Sequence, residues 1–78
     1  MQKTNLVEIT MTFKTNEEAQ KLATRIHGCL VGNPDYRASA IALNVTDKVV
    51  TVIIGDEASR ESKLYTSCAV NIALSDML

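Results

Sequence analysis

Three residues, Thr46-Asp47-Lys48, separate two runs in which apolar and polar side chains alternate. A connection that short closes only an antiparallel hairpin, so the middle of the chain is committed to two paired strands. The run before it, residues 37–46, sets Ile41, Leu43 and Val45 against Ala40, Ala42, Asn44 and Thr46. The run after it, residues 49–54, places Val50, Val52 and Ile54 on one face. A period of two marks a strand with one buried side. The connection lacks the glycine that tight hairpins favour, which leaves its turn type open.

Upstream, residues 5–14 read as a further strand, with Val7, Ile9, Met11 and Phe13 alternating with Glu8, Thr10, Thr12 and Lys14. Thr15-Asn16-Glu17-Glu18 then starts a helix. Thr15 and Glu18 have the spacing of a capping box, and the two acids sit where the helix dipole favours negative charge. A cap of this kind is worth about 1 kcal/mol. Ala19, Leu22, Ala23, Ile26, Cys29 and Leu30 recur at helical spacing on one stripe. This helix is expected to end between Gly28 and Val31, with Gly32 taking a left-handed cap. Beyond the hairpin, Asp56 is placed to cap a second helix of about twenty residues, with Glu57 in its first turn. Gly32-Asn33-Pro34-Asp35 and Gly55-Asp56 read as turns within a single domain over 1–78.

The element order is β-α-β-β-α. With the third strand between the other two, every neighbouring pair is antiparallel and the crossover can be right-handed. The expected fold is therefore α+β, a three-stranded antiparallel sheet with two helices packed on one face.

Size limits what such a layer pair can do alone. A chain of 78 residues buries only roughly 60–65 % of its unfolded surface, so its core is thin and a partner chain is a common remedy. The net charge of −1 supplies no long-range field for nucleic acid. With 46 % hydrophobic and 22 % charged residues, the composition is that of a folded domain. The longest uncharged run is too short and too polar for a membrane span, and no secretory leader is expected. Cys29 and Cys68 are too few for a disulfide framework, and the expected location is cytoplasmic.

The second helix says most about function. Its first half is polar, with Ser59, Arg60, Glu61, Ser62 and Lys63. In its second half Leu64, Cys68 and Ile72 form one stripe, while Val70, Ala73, Leu74 and Met77 lie well around the cylinder. One stripe suffices to cover a three-stranded sheet, so a helix apolar on more than one side calls for a second partner. Leaving such side chains exposed would forgo about 1.5–3 kcal/mol each. The expected partner interface is Leu22 and Ile26, shared with the core, together with Leu64, Cys68, Val70, Leu74 and Met77. The competing reading packs Val70, Leu74 and Met77 on the first helix. The first strand carries no proline and no inward charge to blunt its edge. A homodimer formed through an edge or face of the sheet is expected, with Val7, Ile9 and Met11 of the first strand as its candidate residues and the choice of edge or face left open.

Chemistry-bearing residues are sparse, and no catalytic, cofactor or metal site is expected. His27 falls near the end of the first helix, where capping or surface packing accounts for it. Cys29 and Cys68 read as buried, inert thiols. These three residues do not make a zinc site at recognisable spacing. The sequon Asn44-Val45-Thr46 lies in a strand and is discounted. Arg37, with Arg25 and Lys21 near it, is a candidate contact for an RNA phosphate backbone, set against a plainly solvated surface. The clamp loop of a KH domain and the stacking aromatics of an RRM are both missing.

Several stretches resemble the Pcc-type small subunit of the KEOPS (EKC) complex. They are the opening strand running into Phe13-Lys14-Thr15-Asn16-Glu17-Glu18-Ala19, the Pro34, Arg37 and Ser39 approach to the second strand, Leu43 and Val45 before the hairpin, and Val50, Val52 and Ile54 leading into an acidic cap. The resemblance covers nearly the whole chain through patterns rather than signatures. The family often has a Gly-Asn pair where this chain has Asp47-Lys48. Its second helix often carries Leu-Arg-x-Ser-x-Asn-Ser. Leu64 and Ser67 fit that run, but Tyr65 stands for the arginine and Ala69-Val70 for the Asn-Ser pair. The resemblance implies a non-catalytic accessory subunit that forms a homodimer and bridges two Kae-type ATPase-like subunits. It implies a role in the threonylcarbamoyladenosine modification of tRNA, with tRNA contacted through the complex. The alternative is a stand-alone small RNA-binding module of KH-like or double-stranded-RNA-binding-like type.

Overall fold

The computed structural model of the chain describes residues 7–77. It contains β1 (Val7–Thr12), α1 (Asn16–Leu30), α2 (Pro34–Arg37), β2 (Ile41–Thr46), β3 (Val49–Ile54) and α3 (Arg60–Met77). Residues 5 and 6, expected to open the first strand, lie outside the described residues. The fold is α+β: an antiparallel three-stranded sheet in the order β1-β3-β2, with α1 and α3 packed against it.

The registers align three apolar rows across the inner face. Val7, Ile54 and Ile41 form one, Ile9, Val52 and Leu43 the next, and Met11, Val50 and Val45 the third. Val50, Val52 and Ile54 are buried because β3 is flanked on both sides, whereas Ile9, Met11, Leu43 and Val45 on the edge strands stay half-buried. Leu22, Ile26 and Leu30 of α1 close over these rows together with Val70 and Ala73 of α3.

Thr15 caps α1 as its spacing requires. Its hydroxyl oxygen accepts from the Glu18 N–H at 3.2 Å and its O–H donates to the Glu18 carboxylate at 3.2 Å. The other end of α1 departs from expectation. No glycine takes a positive φ, so Gly32 makes no left-handed cap. Val31 stays right-handed and donates to the His27 carbonyl at 2.9 Å. The helix stops because Pro34 forces Asn33 into an extended conformation (φ −82°, ψ 127°).

Pro34 also explains the element that periodicity did not show. Proline suits the first position of a helix. Asn33 Oδ1 then accepts from the N–H groups of Asp35 and Tyr36, at 2.9 and 3.3 Å, and one helical turn forms. The second strand consequently begins at Ile41 rather than at residue 37. The Ala38 N–H is used by the Pro34 carbonyl at 2.9 Å, and Ser39 turns the chain with φ 67°.

The cap of α3 is Ser59, not Asp56. Ser59 Oγ accepts from the Ser62 N–H at 3.1 Å, and the Ser59 carbonyl accepts from the Lys63 N–H at 3.0 Å. Gly55 through Ala58 are taken up by a turn closed by the Ala58 N–H on the Gly55 carbonyl at 3.1 Å. That turn buries Ala58 and leaves Asp56 and Glu57 exposed, ahead of the helix.

Candidate interaction surfaces

The inward side of α3 is built of small residues. Ser62, Thr66, Ala69, Val70 and Ala73 are buried there, and Leu74 and Met77 pack half-buried at its margin. Residues i, i+4 and i+8 share one side of a helix. Leu64, Cys68 and Ile72 have that spacing and all three are exposed, Leu64 at 62 % and Ile72 at 61 %. The large apolar stripe thus faces away from the core that the small stripe fills.

Two hydrogen bonds fix the rotation of α3 against α1. The Tyr65 O–H donates to the Cys29 carbonyl at 2.7 Å, and Arg25 pairs with Asp76 at 3.1 Å. Both lie on the flank of α3 that meets α1, between the buried and the outward stripes. The start of α3 is held by α2: the Ser59 N–H donates to the Asp35 carboxylate at 3.0 Å, and the Ser62 hydroxyl donates to Asn33 Oδ1 at 3.3 Å. The Ser62 hydroxyl and the Ser59 N–H hold the Asp35 carboxyl below its ordinary value of 3.8.

This arrangement redistributes the expected interface residues. Val70, expected on a partner-facing side, is 3 % exposed and belongs to the core. Leu22 and Ile26 are fully buried and offer no surface at all. Leu74 and Met77 are half-buried and pack against the core rather than standing free on an outward face. Leu64 and Cys68 do face outward, joined by Ile72 and flanked by Tyr65, which the expected interface omitted. Their signal was present in the four-residue spacing from Leu64 to Ile72. Cys29 and Cys68, read as buried, are both exposed, because Cys29 sits at the margin of the α1 stripe and Cys68 on the outward stripe of α3.

β1 and β2 are the two edges of the sheet. Val7 is exposed, and Ile9 and Met11 are half-buried with their side chains on the helix-covered face. The opposite face carries Glu8, Ile53 and Ala42 in one row, Thr10, Thr51 and Asn44 in the next, and Thr12, Val49 and Thr46 in the last. In these rows the charge is confined to Glu8, and the outer members are exposed except for the half-buried Ala42.

His27 is exposed, and its Nδ1 lies 2.8 Å from the Tyr36 hydroxyl, with the rings edge-on at 5.7 Å. It packs α1 against α2. Arg37 is exposed on the last residue of α2, whereas the guanidinium of Arg25 is engaged by Asp76. Among the described residues, no group of three or more His, Cys, Asp or Glu side chains is placed to hold a metal ion, and no helix is long and apolar enough to cross a membrane. Compared with models of known protein families the sequence matches none, and compared with curated proteins it again matches none.

Proposed function

We propose that this chain is a non-catalytic subunit that forms a homodimer and bridges two larger chains, and that those chains are Kae-type ATPase-like subunits. On this reading it belongs to the KEOPS assembly that makes the threonylcarbamoyladenosine modification of tRNA, and it acts in the cytoplasm. One observation carries the proposal: α3 fills the core with small side chains and presents Leu64, Cys68 and Ile72 to the outside. Covering a large apolar side chain yields about 1.5–3 kcal/mol before the costs of association. Apolar contacts of that strength need no charge of their own, which accords with a net charge of −1.

The chain would work by placement alone. A two-fold dimer presents the same α3 stripe twice, and so sets two docked partners at a fixed separation. The unblunted edge β1 and the mild, uncovered sheet face support the dimer. Any tRNA contact is then made through the assembly, with Arg37 the exposed cation nearest to that role.

The test mixes the chain with a Kae-type subunit and measures mass by light scattering after size exclusion. A complex holding two copies of this chain is expected. Leu64→Asp and Ile72→Asp should keep the wild-type circular dichroism and lose the complex, while Val70→Asp should unfold. Wild-type binding by both surface variants, or a lone monomer eluting apart from the partner, overturns the reading. Salt-sensitive RNA binding by the isolated chain would then favour a small RNA-binding module.

A further inference from the structure

We draw no further inference here: the strongest candidate, the shallow notch between α1 and β2 lined by His27, Tyr36, Leu43 and Val45, is spanned by a His27–Tyr36 hydrogen bond that either charge state of the imidazole can keep, and nothing in the structure points to a ligand there.

Discussion

Thr66 is fully buried on the inward side of α3, and its hydroxyl has no hydrogen-bond partner. Thr66→Val replaces that oxygen with a methyl group of nearly the same shape. Removing an unpaired buried hydroxyl recovers about 1–3 kcal/mol. Both residues are β-branched and differ little in helix propensity, so the backbone contributes almost nothing to the difference. The expected gain is about 1–2 kcal/mol. For a chain of this size each kcal/mol raises Tm by about 4–8 °C. Urea unfolding followed by far-UV circular dichroism measures it, with an upward shift of the midpoint and an unchanged slope. Protein concentration must be held constant, because a dimer makes apparent stability concentration-dependent. Thr66→Ser supplies the opposite control: it keeps the hydroxyl, deletes the methyl and should cost about 1 kcal/mol. A neutral or destabilised Thr66→Val would refute the reasoning, since it would mean that the hydroxyl finds a partner in solution.

Three further outcomes follow from local geometry. Ser39 holds φ 67°, where a Cβ is unfavourable by about 1–2 kcal/mol, so Ser39→Gly should raise the melting temperature once the added freedom of the unfolded chain is subtracted; a lowered one counts against that backbone. A Cβ on Gly55 would lie 3.0 Å from the Ala40 carbonyl oxygen and 2.7 Å from Glu57 Oε1. Glu57 can swing away but the carbonyl cannot, so Gly55→Ala should destabilise by about 1 kcal/mol in the same denaturation assay. The lowered pKa of Asp35 means that the native state favours its charged form, and its stabilising contribution is complete above 3.8 and lost as pH falls through the lowered native value. Asp35→Asn should therefore flatten the acid limb of stability against pH, and an unaltered limb would show that the Ser59 and Ser62 contacts do not hold in solution.

Local pattern carried most of the architecture. The alternation of Val7 to Phe13, Ile41 to Val45 and Val50 to Ile54 names the strands, and the short Thr46-Asp47-Lys48 connection pairs two of them. The Thr15 and Glu18 cap marks where α1 begins. These features are legible because they depend on neighbours in the chain, through backbone hydrogen bonds and a repeat of two or 3.6 residues. The α2 turn was missed because a single helical turn is too short to show a period. It rests on Asn33 and Pro34 acting together.

Helix caps beyond the first were less legible, because several residues compete for each one. Asp56 and Ser59 are both suitable caps for α3, and the choice fell to Ser59 when Ala58 became buried and Asp35 took the Ser59 N–H. Gly32 could have ended α1 in a left-handed turn, but the proline two residues on made that unnecessary.

What the sequence by itself determined is the three strands and the two long helices, their antiparallel arrangement and the presence of more apolar surface on the last helix than its own sheet can cover. Only the tertiary structure decided which stripe of that helix is hidden. Hydropathy favours burying Leu64, Cys68 and Ile72, yet the space beside α1 admits Ala69, Val70 and Ala73, with Tyr65 and Asp76 fixing the rotation. The physical reason is that burial in a thin core is selected by shape as well as by transfer free energy. Small side chains let the α3 backbone approach its neighbours, and the large ones are left facing outward.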